Sequence, residues 1–273
     1  MSVRIAIVQY FAGKELCACS PKYADYGKDR VINMNYQNTF KRYELKYLLT
    51  KEQKEIIQKA MIPYMKGDEY GRSTICNIYF DTPDSLLIRR SLEKPVYKEK
   101  LRVRSYGRAK HESTVFVELK KKYKSVVYKR RISTTEREAM QYLCAGIPLA
   151  KQSQITEEID YVCELYRNLQ PAVFLSYERE AFYGMEDGEL RITFDENILW
   201  RNEDISLCSQ VYGNSILEPG YCLMEIKIAG AMPLWLAQLL AEHHIYQTSF
   251  SKYGCAYKDM IQNKNLFGGK KYA

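Results

Sequence analysis

One pattern restricts this chain more than its composition does: charge on every second residue, in one segment after another. In "YKEKLRVRSYG", residues 97–107, Lys98, Lys100, Arg102 and Arg104 take alternate positions, with Glu99, Leu101 and Val103 between them. A helix would spread those cations around its axis, whereas an extended strand points all of them to one face. Same-face neighbours on a strand stand roughly 6.5–7 Å apart, so the like charges repel. Either water screens them on an open sheet, or something negative lies against them.

The design recurs. In "KRYELKYLL" Arg42, Glu44 and Lys46 alternate with Tyr43, Leu45 and Tyr47. "TVFVELKKKYKSVVYKRRIS" reads as a pair of strands joined near residues 122–124. In the first, Val115, Val117 and Leu119 alternate with Phe116, Glu118 and Lys120; in the second, Lys129 and Arg131 share a face. "AVFLSYEREAFYG" is a further strand. "ELRITFDENILW" sets Arg191, Thr193 and Asp195 against Ile192 and Phe194, and "CLMEIKIAG" sets Leu223, Glu225 and Lys227 against Met224, Ile226 and Ile228.

Helices fall between and after these strands. Thr50 with Gln53 reads as a capping box opening a helix that runs to about Met65. Helical spacing is also expected over 135–145 and 156–169, and in "PLWLAQLLAEHH" and "SKYGCAYKDMIQ". "STICNIYFDTPD" reads as a strand ending in a turn at Thr82, Pro83 and Asp84. The class is therefore α+β. Its charged faces suit either an open sheet with one solvated side or a closed barrel with a charged lumen and helices outside. A closed lumen full of cations is costly unless an anion fills it, and the natural anion is a chain of phosphates.

Composition narrows the chemistry. Lys and Arg number 41 against 33 Asp and Glu, a net charge of +8 suited to an anionic partner. The eight cysteines form no CxxC pair, and the three histidines show no ligand spacing, which argues against a zinc site or Ser-His or Cys-His catalysis. Scattered thiols of this kind suit a reducing, cytoplasmic location. No stretch approaches the ~20 apolar residues of a membrane helix. No phosphate loop of the GxxxxGK[ST] or GxGxxG type occurs. A nucleic-acid partner is a poor fit, since a narrow lumen offers neither an accessible groove nor stacking aromatics. Residues 1–33 lack periodicity and are expected to be a leader outside the core, dispensable for folding and activity, with a single domain over 34–273.

Taken together, "RYELKY", "YFDTPD", "EKLRVRSYG", "VFVELKKK", "YERE", "LRITFD", "LMEIKI" and "SFSKY" resemble the VTC domain, in order and in parity. This is the polyphosphate polymerase domain of the vacuolar transporter chaperone family, in the triphosphate tunnel metalloenzyme (CYTH) superfamily. The resemblance implies a closed, antiparallel, eight-stranded β-tunnel open at both ends and flanked by helices. It also implies an ATP-dependent polymerase that transfers the γ-phosphate of ATP to polyphosphate with Mn²⁺ or Mg²⁺. The alternatives are a tripolyphosphate or nucleoside triphosphate hydrolase on the same fold, or a polyphosphate-binding module without turnover. ATP and polyphosphate are the implied partners, and the motifs specify no protein partner.

Carried over by motif, the phosphate-gripping bases are Lys46, Arg102, Arg104, Lys120, Arg179, Arg191 and Lys252. Lys129 and Arg131 match a further basic pair; Lys100 and Lys98 belong to the ladder, at a tunnel mouth or within it. Tyr177 and Ser251 would supply hydroxyls, and Glu225 would bind the metal. Arg42 stands where the superfamily often has the first glutamate of an ExExK pattern, which favours the polymerase branch. Glu44, Glu118 and Asp195 are expected to pair with lumen cations, and Lys121, Lys122 and Lys124 to form a solvated turn.

Overall fold

A computed structural model describes residues 43–268 except residue 125, with side chains as far as residue 262. The expected leader, 1–33, lies outside the described residues. The elements in chain order are β1 (Tyr43–Thr50), α1 (Lys51–Met61), β2 (Met65–Gly67), β3 (Ser73–Asp81), α2 (Leu86–Leu92), β4 (Tyr97–Tyr106), β5 (Thr114–Tyr123) and β6 (Val126–Thr135). Then come α3 (Glu136–Ala145), α4 (Gln154–Leu165), β7 (Gln170–Gly184), β8 (Arg191–Arg201), β9 (Asn214–Ser215), β10 (Tyr221–Ile228), α5 (Leu234–Glu242) and α6 (Lys252–Gly268).

The capping box at Thr50 forms as expected: Thr50 Oγ1 accepts from the Gln53 amide, and Gln53 returns the bond to the Thr50 amide. Such a cap stabilises a helix by about 1 kcal/mol. The helix stops at Met61 rather than near Met65: Ile62 still has helical angles (φ −50°, ψ −45°) and caps the helix, and Pro63, which has no amide to donate, cannot extend it. Met65 instead opens β2, a short strand on β7. Lys121 and Lys122 are also corrected. Both are β5 residues rather than part of a solvated turn: Lys121 is on the outer face with its ammonium 3.2 Å from Glu158 of α4, and Lys122 pairs in register with Lys98 and Val127.

All strands join one antiparallel sheet of ten, in the main order β1-β10-β8-β7-β3-β4-β5-β6, with β2 and β9 added on β7 and β8. The expected closed barrel of eight strands is thus corrected on both counts. Among the described residues β1 and β6 end the path without pairing to each other. Lys129, Arg130 and Arg131 lie along β6, and charge on an edge strand disfavours further pairing. The sheet nevertheless curls. Glu44 on β1 reaches Lys120 on β5 at 3.4 Å, so side chains span the gap that backbone does not close.

The outer face carries two separate cores. Ile78, Leu101, Val103, Val117 and Leu119 pack beneath Ala139, Tyr142, Ile159 and Val162 of α3 and α4. Tyr47, Leu49, Ile192, Phe194, Met224 and Ile226 pack beneath Ile57, Leu236 and Leu240 of α1 and α5. At about 25 cal/mol per Å² of apolar surface, each fully buried large aliphatic side chain contributes about 1.5–3 kcal/mol, ample reason for the strand parity to hold.

The concave face is not charged throughout. Ile75, Val173, Leu175, Trp200 and Leu223 form an apolar floor against Tyr253 and Ala256 of α6. Between Ser176 and Glu178 the register of β7 on β8 shifts, and Asn197 adopts a positive φ of 48°. A bulge of this kind changes which side chains face inward, so Asp195 and Trp200 share the concave side despite opposite parity. Fully buried Asp81 ties α6 in place: it accepts from the Leu87 and Ile88 amides of α2 and from the Tyr253 hydroxyl at 2.9 Å.

Candidate functional site: two carboxylate hubs in a cationic concavity

The β4 ladder faces the concave side. Its alternate residues Leu101 and Val103 are fully buried in the outer core, which leaves Lys98, Lys100, Arg102 and Arg104 no other direction. Arg102 donates from Nε to Glu118 at 2.8 Å and from Nη1 to the Tyr79 hydroxyl at 2.8 Å. Arg104 donates from Nε to Asn77 Oδ1 at 3.0 Å and from Nη2 to the Tyr177 hydroxyl at 3.2 Å. Lys129 on β6 brings its ammonium to 2.7 Å from Glu118. Burial would raise the Glu118 carboxyl, but Arg102, Arg104 and Lys129 outweigh it and hold the group at about 2. Tyr79 behaves alike: against the burial that would raise it, Arg102, Lys100 and Arg104 draw its hydroxyl down to about 8.

The second hub forms where β1, β7, β8, β10 and the start of α6 meet. Arg179 grips fully buried Asp195 bidentately at 2.6 and 2.7 Å, and Lys252 lies 2.6 Å from the same carboxylate. Glu225 lies 3.3 Å from Lys252, 3.6 Å from Arg179 and 3.7 Å from Lys46. Burial acts to raise the Glu225 carboxyl, but Lys252, Lys46 and Arg179 hold it well below the usual range. Glu44 pairs with Lys46 and Lys120, and those two lysines overcome burial to set it at about 2.

The expected site residues therefore divide. Lys46, Lys100, Arg102, Arg104, Lys120, Lys129, Tyr177, Arg179, Glu225, Ser251 and Lys252 converge on the concavity. Ser251 Oγ accepts from Lys100 Nζ at 3.1 Å and from the Gly254 amide at 3.1 Å, so it caps α6 and holds the ladder together. Lys98 donates to the Ser91 carbonyl at 3.2 Å, near α2. Arg191 does not join the hubs: it is 47% exposed and pairs with Asp68 at 3.4 Å. Arg131 is exposed and stacks on Phe116 at 3.4 Å from the ring centre.

Sequence reasoning missed Asn77 and Tyr79 as partners of the arginines. Both share one parity in "CNIYFD", opposite to Cys76, Ile78 and Phe80 in the outer core, and that alternation was the available signal. It placed Lys227 on the face of Glu225 but gave it no role in the site; burial lowers its ammonium to about 8, offset in part by Glu225.

Among the described residues, no trio of concave carboxylates converges tightly enough to hold an ion by itself. The donor chemistry still fits a hard divalent cation. Glu225 and Glu44 flank the same Lys46, and such ions commonly take one or two carboxylates and complete their shell with phosphate oxygens and water.

An open antiparallel sheet curled around buried arginines, lysines and a few carboxylates is a site built for polyanions. The VTC domain family profile matches residues 41–261, and the chain belongs to that family. Subunit 4 of the vacuolar transporter chaperone complex of Schizosaccharomyces pombe is 25% identical over 268 residues, covering 81% of this chain and 35% of that protein. The chain thus spans about a third of the length of this relative. Among solved structures, a Hippeastrum protein with a dominant triphosphatase activity is similar, with 16% identity, 77% of this chain and 92% of that chain covered, and a TM-score of 0.47. A candidate adenylate cyclase of Bacillus halodurans shows 18% identity, 76% and 92% coverage, and a TM-score of 0.46. No helix among the described residues is long and apolar enough to cross a membrane.

Proposed function

We propose that this chain is a metal-dependent polyphosphate polymerase that transfers the γ-phosphate of ATP to a growing polyphosphate chain held in the concavity. The observation that carries the reading is the excess of cations around Glu118: Lys100, Arg102, Arg104 and Lys129 share the concave face with that one buried carboxylate. Such an imbalance is costly in the empty protein and is relieved by a bound polyanion.

Phosphoryl transfer asks for in-line placement of oxygens and for neutralised charge, not for a protein nucleophile. Arg102 and Arg104 offer forked donors to successive phosphates, oriented by Glu118, Asn77, Tyr79 and Tyr177. Lys46, Arg179 and Lys252 are the cations nearest Glu225 and Asp195. Glu225, with Glu44 beside it, is the group we assign to Mn²⁺ or Mg²⁺. A divalent ion there would supply charge neutralisation at the transferring phosphate. Lys46, Arg179 and Lys252 would then turn from carboxylate to phosphate oxygens. The nucleophile is a terminal oxygen of the acceptor chain. Arg191 and Arg131, at exposed positions, would lead the product in or out.

Incubation with ATP and Mn²⁺, followed by gel analysis, tests the reading. Long polyphosphate chains support it. Orthophosphate alone makes the protein a hydrolase, and binding without turnover makes it a binding module.

A further inference from the structure

Outside the concavity, a second cluster joins three segments that are remote in sequence. His111 lies in the turn between β4 and β5, Glu136 is the first residue of α3, and Cys208 lies in the loop after β8. Their ligand atoms all lie within 4.8 Å of one another. His111 Nδ1 is 2.8 Å from Glu136 Oε2 and 3.8 Å from Cys208 Sγ. The three segments are held in place by backbone. Ala109 donates to the Leu207 carbonyl at 2.9 Å, Arg137 to the His111 carbonyl at 3.0 Å and Glu136 to the Ser113 carbonyl at 3.0 Å; the Arg108 side chain donates to the Cys208 carbonyl at 2.6 Å. A pocket of about 340 Å³ opens beside His111 and Cys208.

A Cys-His-Glu trio could also be a nucleophilic triad, but the geometry argues against that. In a triad the orienting carboxylate and the nucleophile address opposite ring nitrogens. Here both address Nδ1. Three donors converging on one point instead describe a coordination vertex.

We propose that His111, Glu136 and Cys208 form a binding site for a borderline transition-metal ion of the zinc type. One nitrogen, one sulfur and one carboxylate oxygen make a mixed set that suits Zn²⁺ and Co²⁺ better than Mg²⁺ or Mn²⁺. Bond lengths of about 2.0–2.3 Å at tetrahedral angles put ligand atoms roughly 3.3–3.6 Å apart. The nitrogen–sulfur separation of 3.8 Å needs almost no change, and the nitrogen–oxygen separation of 2.8 Å opens by about half an ångström. Binding releases the thiol proton to solvent, while the ring carries its remaining proton on Nε2. A thiolate and a carboxylate balance the ion's charge. Three protein ligands leave the fourth position to water, facing the pocket. The ion would clamp the β4–β5 turn, the start of α3 and the loop after β8, and its binding does not depend on turnover in the concavity.

The test is titration of the full, reduced, chelator-stripped chain with Co²⁺ alone, read by absorption. The expected result is a thiolate-to-cobalt charge-transfer band with tetrahedral d–d bands, saturating at one equivalent and bleached by one equivalent of Zn²⁺. Cys208→Ser abolishes the charge-transfer band, and His111→Ala weakens Co²⁺ binding at least tenfold; circular dichroism checks that both variants fold. Absence of the band in the wild-type chain overturns the proposal, and so does its persistence in Cys208→Ser, which would assign it to another thiol. Cobalt held only by concave carboxylates gives no thiolate band, so the proposed polymerase reading stands or falls separately.

Discussion

The two hubs of the concave face are built from the same residue types and differ in charge balance. Around Glu118, the only carboxylate there among the described residues, stand Arg102, Arg104 and Lys129, with Lys98 and Lys100 on the same face and Lys120 shared with Glu44. Around Asp195, Glu225 and Glu44 stand Lys46, Arg179 and Lys252, with Lys227 on the same face and Lys120 reaching Glu44, so three carboxylates share the cations that a single one faces in the first hub. The side chains register the difference. Burial and neighbouring lysines lower Lys100 to about 8 and also lower Lys98. Lys46 and Lys252 are raised: burial opposes this, but Glu225 and Glu44 prevail at Lys46, and Asp195 and Glu225 at Lys252. A marked cation surplus asks for an anion, whereas a cluster richer in carboxylates can exchange an ammonium for a divalent ion. Under the function proposed above, the first hub would mainly grip phosphate and the second would mainly serve metal-assisted transfer.

Removing an arginine from the surplus hub should have the largest effect. Arg102→Ala or Arg104→Ala is expected to lower kcat/KM for polyphosphate synthesis at least 100-fold, about 2.7 kcal/mol or more, as losing one aimed donor does elsewhere. Either variant leaves Glu118 with two cations, so urea unfolding should change little. Wild-type activity in both would break the assignment.

The next prediction concerns the carboxylates. Glu118→Gln removes the only counter-charge of its hub and should cost about 3 kcal/mol of stability, largely restored by tripolyphosphate. Asp195→Asn leaves Glu225 to balance Arg179 and Lys252 and should cost less, about 1–2 kcal/mol. Equal losses, measured by chemical unfolding with and without tripolyphosphate, would show that the hubs do not differ in balance.

Glu225→Gln keeps shape and removes charge. Metal titration of activity should shift to roughly tenfold higher Mn²⁺ while nucleotide binding stays within about twofold. An unchanged metal titration would reduce Glu225 to a structural partner of Lys46 and Lys252.

The smallest effect is a proton count. Lys100 titrates at about 8 in the folded protein against an ordinary lysine value of 10.5, so between those values the unfolded chain binds more protons. From this group the empty protein therefore gains stability as pH rises through that window. A bound polyphosphate favours charged Lys100, so binding should take up a fraction of a proton at pH about 8.5 and weaken as pH rises. Calorimetry of tripolyphosphate binding in buffers of different ionisation heat measures that fraction, and Lys100→Met should reduce it, leaving the share of Lys227 and Tyr79.

Much of this was readable before any coordinates. The parity of "EKLRVRS" put Arg102 and Arg104 on one face because Leu101 and Val103 had to be buried on the other. The same logic held for Lys46, Glu118 and Glu225. It failed for edges and bulges. Nothing local distinguishes a strand that closes a barrel from β6, an unpaired edge among the described residues. Nothing in "FDENILW" announces the bulge that turns Trp200 to the side of Asp195.

The sequence by itself determined the periods: which residues alternate, where Thr50 starts a helix, and hence which charges share a face. These are properties of neighbours along the chain, set by backbone geometry and by burial of one face. Only the tertiary structure decided which faces meet. It set Lys252 of α6 2.6 Å from Asp195 of β8, stopped β1 and β6 short of pairing, and drew His111, Glu136 and Cys208 to one vertex. Those contacts join residues remote in sequence, and their positions follow from how the whole sheet curls and packs, which no short window of sequence encodes.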